Sequence, residues 1–212
     1  MLYRIPDKKL TMIHNGVDTN FWNPDEVSPL EIKTWRTTYG RNNHFVLTYY
    51  GHAGKSKGLD VLVRALPELV LVDPSLLIVF NLIDSKRTAY IKEKIRKYHL
   101  RSAVQVFDGF EKEELRTLIA SSDMIVAPSL SEGFGSVHTE AVAMKKPLLT
   151  TYIASLPEVV WGNIKFIAPN SKREIIQAII QRNDRVQNAD YYIPPKDFSR
   201  NTTVKEIIKL YR

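Results

Sequence analysis

Residues 123–144 constrain this chain more than any other stretch. Asp123-Met-Ile-Val-Ala-Pro128 predicts a short buried strand that ends at a proline, and Val137 to Met144 predicts an apolar, alanine-containing helix. Between them lies Ser131-Glu132-Gly133-Phe134-Gly135-Ser136-Val137-His138-Thr139-Glu140. Strand, glycine-spaced loop and helix form the connection by which α/β proteins bind ligands at the carboxyl ends of parallel strands. Gly133 and Gly135 let the backbone approach a ligand closely. The N–H groups of Gly135, Ser136 and Val137 at the helix start form an anion site. Glu132 in the loop and Glu140 about one turn into the helix can face one crevice. A carboxylate accepts two hydrogen bonds from a vicinal diol, so two carboxylates around an anion site point to a sugar nucleotide. Two glutamates near a helix start also serve as a cap or as a complement to the helix dipole. The spacing alone leaves both readings open.

Elements alternate along the rest of the chain. Strands are predicted at 10–14, 44–50, 76–80, 104–107, 123–128, 146–151 and 164–167, and helices at 30–39, 59–72, 86–99, 111–121, 137–144, 156–160, 172–181 and 202–211. Asn15-Gly16 is a turn, Ser28-Pro29 caps and starts the first helix, and Gly40 ends it. Pro67 falls inside an apolar helical pattern and is expected to kink it. Residues 188–198 read as polar and proline-bearing. Strands alternating with helices mean a parallel sheet covered on both faces. The prediction is one α/β domain over residues 1–212, doubly wound and Rossmann-like, with 1–20 as lead-in strand and linker and 199–212 as closing helix.

A chain of 212 residues is long enough for one sizeable core. It has no cysteine, which excludes disulfides, thiolate metal sites and cysteine catalysis and suits a cytoplasmic setting. No apolar run approaches the roughly 20 residues needed to span a bilayer. The formal net charge of +7 fits phosphate-bearing ligands or, peripherally, the inner face of an anionic membrane. The basic residues are dispersed, with no Lys/Arg block, so nucleic acid is not expected as a partner.

Tyr49-Tyr-Gly51-His52-Ala-Gly-Lys55-Ser-Lys57-Gly58 also joins a predicted strand to a predicted helix. Gly54-Lys55-Ser56 fits the end of a P-loop, but Tyr49 stands where the first glycine belongs. What remains is a flexible cationic loop, in which His52, Lys55 and Lys57 lie where a diphosphate could be held; a solvated basic loop is the plainer reading for Lys55. The five histidines show no ligand-pair spacing, so no metal site is expected. There is no Asp-x-Asp, no Gly-x-Ser-x-Gly elbow and no Gly-x-Gly-x-x-Gly, since His138 stands where the third glycine belongs.

Together these residues resemble the C-terminal, donor-binding half of a family 4 retaining glycosyltransferase of the GT-B fold. Glu132 to Glu140 matches that family's Glu-x7-Glu motif. His14-Asn-Gly-Val-Asp18 is similar to the strand and turn entering the second domain, and Gly51 to Gly58 to the donor-phosphate loop. Phe107-Asp-Gly109 is similar to the Phe-x-Gly near the base, Pro157-Glu158-Val-Val to the segment after the motif, and Phe198 to Tyr211 to the closing helix. The resemblance covers most of the chain.

It implies a polysaccharide- or glycolipid-building hexosyltransferase, without cofactor or metal, whose donor is a UDP-, GDP- or ADP-sugar. It implies that Glu140 bonds the ribose hydroxyls and Glu132 the donor sugar, and that Gly135, Ser136 and Val137 meet the diphosphate or sugar through their backbone. Lys57 would neutralise the departing diphosphate. The catalytic set is then Lys57, Glu132 and His52, and the donor-binding set adds Gly51, Gly109, Gly133, Phe134, Gly135, Ser136, Val137 and Glu140. Where the family usually has arginine this chain has His52; histidine is shorter and carries less charge at neutral pH, so either it donates as a neutral group or Lys55 substitutes. Lys145 stands where a helix-ending glycine is expected. The implied partner is an acceptor-binding N-terminal domain, in the same enzyme or on a separate chain, without which no transfer is expected. The alternatives are a non-catalytic partner domain of a split glycosyltransferase, a GT-B epimerase or phosphorylase, and a P-loop nucleotide hydrolase.

Overall fold

The computed structural model describes residues 6–40, 43–83, 85–182 and 192–211. Six strands run parallel: β1 (Phe45–Gly51), β2 (Leu76–Leu82), β3 (Val104–Phe107), β4 (Met124–Ala127), β5 (Leu148–Thr151) and β6 (Gly162–Ile167). Their order across the sheet is β3-β2-β1-β4-β5-β6, and β7 (Tyr192–Ile193) adds an antiparallel edge beside β6. The chain winds outward from β1 to β3, then returns to place β4 against the other side of β1. That reversal opens a crevice outside the carboxyl ends of β1 and β4, where doubly wound sheets bind ligands.

The helices are α1 (Pro29–Trp35), α2 (Leu59–Val72), α3 (Ser85–Lys97), α4 (Lys112–Ser121), α5 (Ser136–Ala143), α6 (Leu156–Val159), α7 (Lys172–Ile180) and α8 (Arg200–Lys209). β1 is buried on both faces. Leu47 and Tyr49 pack with the leucines of α2, Val46 packs with Trp35 and Leu118, and Tyr50 packs with Ile125 and Ala141. This is why β1 reads as an almost continuous apolar run. α2 continues through Pro67 from Leu59 to Val72. An interior proline costs about 3 kcal/mol, whereas burying one leucine contributes about 1.5–3 kcal/mol. Leu59, Leu62, Leu66 and Leu69 are all fully buried, so packing wins. α1 starts on the expected cap: Ser28 Oγ accepts from the Glu31 amide at 3.2 Å while the Ser28 amide donates to Glu31 Oε2 at 2.8 Å. A π-helical turn, Arg36–Gly40, ends it.

Three features differ from the sequence expectation. Residues 10–14 form no strand. The following residues lie against the start of α8 instead, where Val17 and Ser199 make a single parallel bridge and the Thr203 hydroxyl donates to the His14 carbonyl at 3.0 Å. The β7 edge falls within the stretch expected to be polar and irregular; residues 188–191 of that stretch lie outside the described residues. Lys145 adopts φ +54°, so the position does have the left-handed geometry that favours glycine. No helix among the described residues is long and apolar enough to cross a membrane.

Candidate functional site

A cavity of about 640 Å³ occupies the crevice at the β1/β4 junction. Three segments bring their polar groups into it: the turn after β1, the loop after β4 and the first turns of α5.

The turn after β1 is a 3₁₀ turn, Lys55–Lys57, between Gly54 and Gly58. Gly58 has φ +68°, and a Cβ placed there would sit 1.8 Å from the Pro128 carbonyl oxygen. Glycine therefore lets this turn lie flat against the end of β4. Two hydrogen bonds fasten it: the Leu130 and Ser131 amides both donate to the Ser56 carbonyl, at 2.6 and 3.2 Å. The turn consequently aims Lys57, not Lys55, into the cavity; Lys55 is exposed and does not line it. Without a cavity-facing Lys55 the P-loop reading loses its central cation. Gly51 and His52 line the cavity beside it, and the His52 carbonyl accepts from the Tyr49 hydroxyl at 3.1 Å.

Glu132 stands opposite Lys57. Lys57 Nζ donates to both carboxylate oxygens, each at 2.8 Å, and Ser129 Oγ donates to Oε1 at 2.7 Å. The Glu132 side chain is 5% exposed, so a charge that would be costly alone is matched by a cation and a hydroxyl. His138, 1% exposed, lies behind it. Its Nε2 is 3.1 Å from the Ala127 carbonyl, which can only accept, so Nε2 carries the proton. Nδ1 lies 3.9 Å from Glu132 Oε1 and is buried without a hydrogen-bond partner.

α5 begins at Gly135, whose φ is +86°; a Cβ there would press to 2.7 Å on Leu156 and 3.0 Å on His138 Nδ1. His138 and Thr139 are the first amides bonded back to Gly135. The amides of Gly135, Ser136 and Val137 therefore come before the helix's own hydrogen bonds, and these residues line the cavity together with Phe134. Glu140 follows one turn later. Burial pushes its carboxyl up to about 7, against the pull of the Tyr50 hydroxyl and of Lys112. The Tyr50 hydroxyl donates its proton to the Val137 carbonyl at 2.8 Å, and burial, reinforced by Glu140, holds its phenol well above the usual range.

Of the expected site residues, Gly51, His52, Lys57, Glu132, Phe134, Gly135, Ser136, Val137 and Glu140 share this cavity, whereas Gly133 and Gly109 do not line it. Gly109 precedes Phe110, which does, and whose amide donates to the buried Asn81 side chain at 2.9 Å. A Cβ at Gly133 would meet nothing within 4 Å. The sequence reading missed Tyr50, Ser129, His138, Phe110, Lys112 and Trp22, all of which line the cavity. For Tyr50 the alternation of β1 was an available signal, since it places residues 46, 48 and 50 on one face. For Ser129 the signal was a hydroxyl placed three residues ahead of Glu132 in the same loop. Among the described residues no group of three or more His, Asp or Glu is placed to hold a metal ion.

The family described as Glycosyl transferases group 1 matches residues 31–187. A glycosyltransferase of Methanocaldococcus jannaschii is 25% identical over 223 aligned positions, which take in all of this chain and 56% of that protein. The chain thus spans about half the length of that relative. A crystal structure of an Anabaena protein in complex with UDP and glucose superposes with a TM-score of 0.79 at 23% identity, over 95% of this chain and 56% of that one. The C-terminal domain of a group 1 family protein from Francisella tularensis superposes with a TM-score of 0.66 at 20% identity, over 91% of this chain and 98% of that one.

Proposed function

The chain belongs to the group 1 glycosyltransferases, and we propose that its cavity binds the nucleoside diphosphate sugar from which such an enzyme transfers a hexosyl group. The observation that carries this reading is the trio at the β1/β4 junction: the free amides at the start of α5, the Lys57 cation and two largely buried carboxylates, all in one cavity. Amides and cation suit a diphosphate. Glu140, in no ion pair among the described residues, suits the ribose diol; Glu132 suits hydroxyls of the sugar. As the bond to the sugar breaks, negative charge grows on the departing diphosphate. The helix amides, fixed in advance, stabilise that charge without reorganising, and Lys57 adds a cation beside them. His52, at the cavity edge, adds a further donor.

The finer reading is a family 4, retaining, metal-independent transferase acting on a glycan or lipid-linked acceptor, with this chain as the C-terminal half. Three observations support the half-enzyme part: the 56% span of two full-length proteins, the 98% coverage of a C-terminal domain, and a set of exposed apolar side chains. Leu10 and Met12 before the sheet and Val204, Ile207, Ile208 and Leu210 along α8 are all exposed. An acceptor-binding domain, in the same protein or on a separate chain, covers them and completes the active site.

Calorimetric titration of UDP, GDP and ADP, with and without magnesium, tests the donor site. One diphosphate is expected to bind without metal and to bind at least tenfold more weakly to Glu140→Ala, about 1.4 kcal/mol or more. Equal affinity of Glu140→Ala for that diphosphate would sink the reading.

A further inference from the structure

One group in the cavity takes no part in holding the donor. His138 Nδ1 is buried, unpartnered and 3.9 Å from Glu132 Oε1. With Nε2–H committed to the Ala127 carbonyl, neutral His138 turns a lone pair toward a carboxylate. Two acceptors face one another with no hydrogen between them. The arrangement is tolerable here because Lys57 and Ser129 already satisfy Oε1, and Lys57 also holds Oε2.

The same Lys57 is the cation that a diphosphate would draw away. Two of its three donors are on Glu132, and turning those two to phosphate would leave Glu132 without its cation. A Glu132 that loses Lys57 stays in a pocket where it is 5% exposed, and a buried carboxylate needs a counter-charge. The side chain already placed to supply one is His138. Adding a proton at Nδ1 turns the facing lone pair into an N–H directed at Glu132, with the Nε2 bond unchanged.

We propose that His138 is a positioning residue that takes up a proton when a nucleoside diphosphate draws Lys57 away, so that an imidazolium replaces the ammonium as the partner of Glu132. The proposal rests on the donor-site reading given under the proposed function. The charged groups acting on His138 are consistent with it. Burial depresses its affinity for a proton in the free protein, Glu132 and the backbone at Ala127 and Gly135 oppose that depression, and Lys57 reinforces it. Removing Lys57 removes a repulsion and leaves the attraction. Leu156 of α6, which packs close to Gly135 beside Nδ1, is apolar. The result is a Glu132 held in place for a sugar while Lys57 turns its donors to the phosphates.

The test is proton counting. Binding of UDP, GDP and ADP is measured calorimetrically at pH 6.5 in buffers of different ionisation enthalpy, for the wild type and for His138→Gln, whose amide keeps the bond to Ala127 but does not titrate. Glu140 and the diphosphate itself also exchange protons, so the readout is the difference between the two proteins. Wild type is expected to take up a fraction of a proton more per diphosphate bound. In parallel, imidazole nitrogen shifts of the wild type, free and saturated with the same diphosphate, are expected to show one buried histidine passing from the Nε2–H form to the doubly protonated form. This second measurement needs no variant to fold. Tight binding with no change in that imidazole overturns the role of His138 alone. No binding of any diphosphate, to the chain or to the full-length enzyme, overturns the donor site and this inference together.

Discussion

Glu132 and Glu140 stand eight positions apart in one loop–helix unit, and both line the same cavity. They are held in opposite ways. Glu132 has a cation on both oxygens and a hydroxyl on one. Glu140 has no cation in contact: the Tyr50 hydroxyl and the more distant Lys112 only partly offset a burial that lifts its carboxyl to about 7. The first is a charge stored with its counter-charge, released when another anion competes for Lys57. The second is a group whose carboxyl is raised to about 7 and which, in the proposed donor site, accepts from both hydroxyls of a diol most fully when ionised. In the proposed donor site, two glutamates of one motif thus answer to different variables, Glu132 to the presence of phosphate and Glu140 to pH.

The largest effect is expected from breaking the first arrangement. Lys57→Met removes the ammonium from buried Glu132, and removing one partner of a buried pair costs about 3–5 kcal/mol, the partial exposure of Lys57 and any proton taken up by His138 placing it at the lower end. Adding Glu132→Gln to Lys57→Met is expected to recover most of that loss. Urea denaturation of the wild type, both single variants and the double variant at pH 8 closes the cycle. Strict additivity would mean that the two side chains are not coupled.

The second arrangement is expected to show in the pH dependence of stability. An acid whose carboxyl is raised on folding, from its ordinary 4.5 to about 7, is more protonated in the folded than in the unfolded chain between those values. Its contribution to stability is therefore full below about pH 4.5, falls as pH rises through the window, and is lost above about 7. At about 1.4 kcal/mol for each pH unit that separates the two values, the loss is about 3 kcal/mol. Other carboxylates superimpose their own slopes, so the comparison is with Glu140→Gln, from which this component should be absent. Glu132→Gln should retain it. A Glu140→Gln profile parallel to wild type would refute the contrast between the two carboxylates.

Much of this was legible in the sequence, for identifiable reasons. α2 and β3 fall on the predicted boundaries because their patterns are strong and local: five apolar positions at helical spacing in one, and Val104, Val106 and Phe107 within four residues in the other. The loop 131–135 declared itself through its glycines and position, but the sequence does not separate two glycines by what each one does. Gly135 is forced by φ +86° and by Leu156, whereas Gly133 has open space around it. The strand order was not readable, since β1–β4 pairing joins segments more than 70 residues apart, and with it went the Lys57–Glu132 contact. Residues 10–14 carry strand-like residue types, yet the start of α8 captures the backbone that follows. His138 was seen only as a histidine without a ligand partner, because burial on the inner side of α5 is a tertiary fact.

The smallest effect isolates the group that makes Glu140 different. Tyr50→Phe keeps the ring between Ile125 and Ala141 and removes only the hydroxyl, which donates to Val137 and holds the Glu140 carboxyl down against burial. The loss of one hydrogen bond should cost about 1 kcal/mol. Its diagnostic consequence is directional. Without the hydroxyl, burial acts on Glu140 with less opposition, so the pH window over which Glu140 costs stability should extend upward, and diphosphate binding should require a higher pH to reach full strength. Lys57→Met should leave that midpoint where it is, because Lys57 acts on Glu132 and His138. Binding profiles of Tyr50→Phe and wild type from about pH 6 to 9 decide it: an unshifted midpoint would mean that Glu140 owes its titration to burial alone and that Tyr50 merely fills space.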